Sequence, residues 1–122
     1  MDKQQAMQAF YQGFGLPAYE ESDVPDDADL TTGYITYQKM EGSFEEPVFP
    51  SCSLWHRNPS WRKLESVKNN INDTLKNGGL IIPIESGRVW IQRGSPFAQT
   101  VSEDDNSIRR YLINLAVEFL TE

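Results

Sequence analysis

A chain of 122 residues and 14.0 kDa has room for one domain with a real core and none for a second. Its 39% apolar content, with 11% of the chain aromatic, excludes wholesale disorder, and no apolar run approaches the roughly 18 residues that a membrane span needs. The net charge of −7 is uneven: residues 1–32 carry Asp2, Glu20, Glu21, Asp23, Asp26, Asp27 and Asp29 against Lys3 alone, while the rest of the chain is nearly balanced. No basic stripe exists to neutralise phosphates, so specific nucleic-acid binding is not expected. The opening Met1-Asp2-Lys3-Gln4-Gln5 lacks the charged-then-apolar layout of a secretory leader, which predicts a soluble chain made in the cytoplasm.

Within residues 1–15, Ala6, Met7, Phe10, Tyr11 and Phe14 recur at helical spacing, which predicts an amphipathic helix over 3–13, stopped by Gly13, Gly15 and Pro17. From 16 to 32 the composition turns to Pro, Asp, Glu and Ser, and is expected to form a long acidic loop or extended arm. The α+β core is placed at 33–122. Residues 33–40 are rich in aromatic and β-branched types and read as a strand, Glu41-Gly42-Ser43 as a turn, and residues 48–57 as an antiparallel partner. Asn58 as N-cap and Pro59 at the first helical position predict a helix, sustained by Trp61, Leu64, Val67, Ile71 and Leu75 and ended by Asn77-Gly78-Gly79. A second hairpin follows, 80–84 with 88–93 across Glu85-Ser86-Gly87. In residues 108–120 alternation outweighs helical period and predicts a long final strand. The order is therefore α-β-β-α-β-β-β, an α+β domain with two helices on one face of a mostly antiparallel sheet.

Candidate chemistry is sparse. His56, the lone histidine, has no second histidine at ligand spacing, so no metal site and no cofactor is expected. Cys52, the one cysteine, rules out an internal disulfide and reads as a small buried hydrophobe. Ser51, Cys52 and Ser53 lie near His56 in sequence, but alternation along a strand turns Ser51 and His56 to opposite faces, so no catalytic residue is assigned. Glu103-Asp104-Asp105-Asn106 lacks the spaced ligands and glycine of a calcium loop and reads as a solvated turn. Arg109-Arg110 is too short for a nucleic-acid patch and is expected to form ion pairs at a strand start.

Three stretches together carry a resemblance: Leu54-Trp55-His56-Arg57 with Ser60-Trp61; Gly87-Arg88-Val89-Trp90-Ile91 with Arg93-Gly94-Ser95-Pro96-Phe97-Ala98-Gln99; and Ile108-Arg109-Arg110-Tyr111-Leu112-Ile113-Asn114 ending in Glu118-Phe119-Leu120-Thr121. Over roughly residues 30–122 the chain resembles the small tail terminator or minor capsid proteins of the head–tail neck in tailed bacteriophages. The resemblance implies a non-enzymatic virion subunit that forms a ring, usually of six copies, caps the tail tube and docks to the head connector while DNA passes through its channel. Alternatives are a neighbouring head-closure or connector subunit, or a small hydrolase or ligand-binding domain using His56 and acidic residues. For a ring, the final strand or the second hairpin, with Arg88, Trp90 and Arg93, is the expected subunit contact. Glu20, Glu21, Asp23, Asp26, Asp27 and Asp29 are expected either to face the lumen, where they repel DNA, or to meet a basic partner as an arm.

Overall fold

The computed structural model describes residues 1–40 and 46–121; the turn expected at Glu41-Gly42-Ser43 lies outside the described residues. Among them the chain forms α1 (Lys3–Tyr11), a 3-10 turn (Gln12–Phe14), β1 (Ala18–Glu20), β2 (Tyr34–Tyr37), β3 (Ser51–Arg57), α2 (Arg62–Leu75), β4 (Leu80–Ile84), β5 (Gly87–Val101) and β6 (Ile108–Thr121). The strands make one sheet in the order β1-β2-β3-β6-β5-β4. All neighbouring pairs are antiparallel except β1 with β2, which are parallel. The α+β class and the two hairpins are as expected. The sheet is mixed because Ala18-Tyr19-Glu20, read as part of a loop or arm, docks beside β2. Leu16 and Ala18 are buried apolar anchors in that stretch, and the surrounding acids and prolines mask them in the sequence.

The first helix starts where polar side chains take up its free N–H groups. The Asp2 carboxylate accepts from Gln5 N at 2.8 Å while the Gln5 amide oxygen accepts from Asp2 N at 2.9 Å, a reciprocal capping box. The second helix begins at Arg62, later than the Asn58-Pro59 start expected. Asn58 Oδ1 accepts from Ser60 N at 2.8 Å and Ser60 Oγ from Arg62 N at 3.1 Å, so these residues shape the turn ahead of the helix rather than cap it.

Both helices lie on the same face of the sheet, fixed by alternation along each strand. Ile35, Leu54 and Tyr111 sit side by side across β2, β3 and β6, as do Tyr37, Cys52 and Ile113. Val117 continues this face beside Ile91 of β5. The Tyr11 ring of α1 stacks on Tyr37 at 4.4 Å between centroids, and Trp61 meets Tyr111 edge-on at 5.1 Å. Leu64, Val67, Ile71 and Leu75 of α2 complete the core. Side chains of this kind contribute about 1.5–3 kcal/mol each when fully buried.

The fifth strand runs past the expected end at Arg93. Its register with β6 shifts between Arg93 and Ala98. A Cβ on Gly94 would sit 2.8 Å from the Asn114 carbonyl, and Asn114 Nδ2 donates to Pro96 O at 2.9 Å, so glycine lets the irregular stretch lie close and the strand resume. The third strand begins at Ser51 rather than 48, although Val48 still exchanges two 2.8 Å main-chain bonds with Val117. At the end of α2, Gly79 has φ +89° and a Cβ there would lie 2.4 Å from Ile91 O.

Leu64→Ala should cost about 2–5 kcal/mol in urea denaturation because it opens a cavity at the centre of the core. Ile81→Ser, on the sheet's outer edge, should stay within about 0.5 kcal/mol of the parent. Equal losses for the two would contradict this assignment of the core.

Candidate functional site

The side chains considered as nucleophiles or bases are built into the fold in ways that separate them. Cys52 faces the core from β3, and burial pushes its thiol up to about 12. Ser53 lies on the opposite face of the sheet, where its Oγ accepts from Arg110 Nε at 3.0 Å. His56 is 6% exposed and its Nε2 lies 3.1 Å from Thr31 O; a carbonyl can only accept, so Nε2 carries the proton. Its Nδ1 is buried and has no hydrogen-bond partner among the described residues. No group of three His, Cys, Asp or Glu side chains among the described residues is placed to hold a metal ion.

The expected subunit contact is rearranged by the topology. The sixth strand is flanked by β3 and β5, so it offers no free edge, and β5 is flanked by β6 and β4. Only β4 of the second hairpin is an edge, where Ile81 is 48% exposed and Pro83 breaks the row of donors. Nor do the three named residues form one patch. Arg88 and Trp90 share the sheet face away from the helices, and Trp90 Nε1 donates to Gly78 O at 2.7 Å. Arg93 falls on the helix-bearing face and donates to Asn72 Oδ1 of α2 at 2.9 Å.

The face that carries no helix presents a platform built around β3 and β6. Arg110 stacks over the Trp55 ring at 4.6 Å and pairs with Glu103 at 3.2 Å. Trp55 Nε1 donates to Thr36 Oγ1 at 2.8 Å, and Tyr34 meets Tyr19 edge-on. Trp55, Trp90, Leu112 and Leu120 are all half-buried on this face. The ion pairing expected of Arg109-Arg110 holds for Arg110 only; Arg109 donates to the carbonyls of Asn106 and Pro59. Arg57 instead pairs with Asp105 at 3.0 Å.

The acidic segment is a loop folded against the sheet rather than a projecting arm. Glu21 N donates to Tyr37 O, Asp23 N to Glu20 O, Gly33 N to Asp29 O, and Arg57 N to Leu30 O. Asp29 is structural: its carboxylate accepts from Thr31 N, Thr31 Oγ1 and Thr32 Oγ1, bonds that hold it below the usual carboxylate range. Glu21, Asp23, Asp26 and Asp27 are exposed, and Glu20 is half-buried.

One feature was invisible in the sequence. An open cleft of about 550 Å³ lies between the turn at Phe14 to Leu16, the end of β3 and the first turns of α2. Phe14, Leu16 and Val67 give it an apolar floor, and His56, Arg62 and Lys63 are the ionisable groups that line it. The Lys63 ammonium also donates to Thr32 O. Arg62 and Lys63 are adjacent in the sequence, but their meeting with a turn more than forty residues upstream is not visible there.

No protein-family model matches the chain, and no curated protein or solved structure matches it either.

Two outcomes follow from these environments. Asp29, Asp105 and Glu65 all have lowered carboxyl pKa values, Asp105 through Ser107 and Arg57, Glu65 through Lys68 and Tyr111. A depressed folded value stabilises the fold above the unfolded value of about 4 and is lost as pH falls through the folded one. Melting temperature should therefore drop below about pH 4, and Asp105→Asn should shallow that drop. A pH-independent melt would refute it. Cys52 should resist alkylation in the folded protein at neutral pH and react on unfolding, as mass spectrometry would read; rapid labelling of the native state would contradict its burial.

Proposed function

We propose that this protein is a structural subunit of a phage virion: a tail terminator that assembles as a ring, caps the tail tube and docks to the head connector, with DNA passing through the channel. The reading rests on the resemblance of three sequence stretches, and it gains support from where they lie. They fall mainly on β3, β5 and β6, which are neighbours in the sheet. The observation that carries it is the one-sided burial of that sheet: the face without helices holds Trp55, Trp90, Leu112 and Leu120 half-exposed. Aromatic and aliphatic surface of this kind, rimmed by Arg88, Arg110 and Glu118, is suited to closing against another protein.

In this reading the exposed acids of the loop form a contact for a basic neighbour and speed association at low salt, an effect that salt screens. A ring needs a heterologous contact, two different surfaces of one subunit that fit each other, with a rotation that closes. Six copies is the number the resemblance implies. The protein would reside in the neck of the virion after assembly in the host cytoplasm.

Sedimentation over a concentration series, followed by electron microscopy of the protein alone and mixed with tail tubes, tests the proposal. Closed rings, free or seated on tube ends, are expected. A strict monomer in both settings would sink it, and a substrate-specific turnover lost in His56→Ala with unchanged stability would put an enzyme in its place.

A further inference from the structure

The two ends of the β1-β2-β3 region are complementary in charge and in apolar surface. At one end lies the cleft: His56 follows Trp55 on β3, Asn58 comes just after that strand, and Leu16 precedes β1, all beyond the Tyr34–Trp55 pair. Among the described residues its ionisable lining groups are His56, Arg62 and Lys63, with no carboxylate. The other end lies beyond the Tyr37–Cys52 pair, where Glu21 follows β1 and Phe49 precedes β3. Phe49 is 75% exposed, the most exposed large apolar side chain among the described residues, and it shares a groove with Glu21. Asp23, two residues after Glu21, is exposed, and among the described residues Lys39 is the base that lines that groove. The two ends are separated by about seven residues of strand, roughly 20 Å.

We propose that the cleft receives this acidic end of a second copy, with Phe49 on the apolar floor and Glu21 and Asp23 against Arg62 and Lys63. The proposal rests on the self-assembling reading above and names its contact. Two observations carry it. The first is charge: a cleft whose ionisable lining is wholly basic, in a chain of net charge −7, attracts the acidic surface that other copies supply in abundance. The second is apolar fit: Phe14, Leu16 and Val67 floor the cleft, and Phe49 is the most exposed large apolar side chain among the described residues. Because donor and acceptor surfaces lie at opposite ends of the subunit, the contact is head-to-tail. Phe49 is the anchor and the charges set register and rate.

The test uses two variants of the full chain, each altered at exposed positions and checked for folding by circular dichroism. A cleft variant carries Arg62→Glu and Lys63→Glu; an end variant carries Phe49→Ala and Glu21→Lys. Each alone should be shifted to monomer, with its dissociation constant raised about tenfold or more. Mixed, they should form one-to-one dimers and nothing larger, because only one intact cleft and one intact acidic end remain per pair. Arg62→Glu alone, which leaves the Lys63 bond to Thr32 in place, should weaken assembly in the same direction. If the parent assembles and both variants assemble equally well, the contact is overturned while self-assembly stands. If the parent stays monomeric alone and on tail tubes, both fall. If the cleft variant self-assembles normally but loses tube binding, the cleft belongs to a different polypeptide and the second-copy contact is overturned.

Discussion

The odd-numbered side chains of the last strand set the terms for the rest of the molecule. Tyr111, Ile113, Leu115 and Val117 all point to one side of β6, and all are buried. Because β6 is hydrogen-bonded along both edges, to β3 and β5, that row becomes the midline of the sheet rather than its margin. Every neighbouring strand then has its register fixed, since a slip of one residue would turn its apolar side chains to the other face. Leu54 and Cys52 align with Tyr111 and Ile113 from one side, Ile91 and Val89 with Val117 and Phe119 from the other. The two helices cover this row from the same side, so hydrophobic burial, the dominant favourable term, is concentrated on one face.

That asymmetry has a consequence for what the protein can do. A single-layer sheet with helices on one side leaves its other face to solvent or to a partner. Here the open face is tied together by local polar contacts: Arg110 on Trp55 and Ser53, Trp55 on Thr36, and Arg110 with Glu103. These bonds pair the polar atoms of Trp55, Ser53 and Arg110 while leaving ring and aliphatic surface outward. Polar groups already paired in this way can be buried against another surface without being stranded. The edges are less inviting: β1 is three residues long, and Pro83 interrupts the donors of β4.

His56 shows how one residue joins the core to a surface. On β3 it continues the inward row of Cys52 and Leu54, but at the end of the strand the core gives way to the cleft. Its Nε2 proton fixes the acidic loop through Thr31, next to the Arg57–Leu30 main-chain bond and the Lys63 contact with Thr32. The loop is thus pinned at the cleft end by three independent bonds, and at the far end by Glu21 to Tyr37. Its carboxylates are carried on an ordered support, which lowers the entropy lost when they meet a partner.

Local rules in the sequence determined much of this. Apolar spacing located both helices and the two hairpins, alternation identified the final strand, and the lone cysteine read correctly as a core residue, since these depend on periodicity and residue type alone. Where a turn residue had two uses the sequence was ambiguous: Asn58 and Ser60 can cap a helix or build a turn, and here they build the turn before Arg62. What only the tertiary structure decided was adjacency. Parallel docking of β1, the central place of β6, the split of Arg88 and Trp90 from Arg93, and the convergence of Phe14 and Leu16 with His56 and Arg62 all join residues distant along the chain. No spacing rule encodes such meetings, because long-range order is set by which faces must be buried together, a property of the whole sheet rather than of any segment.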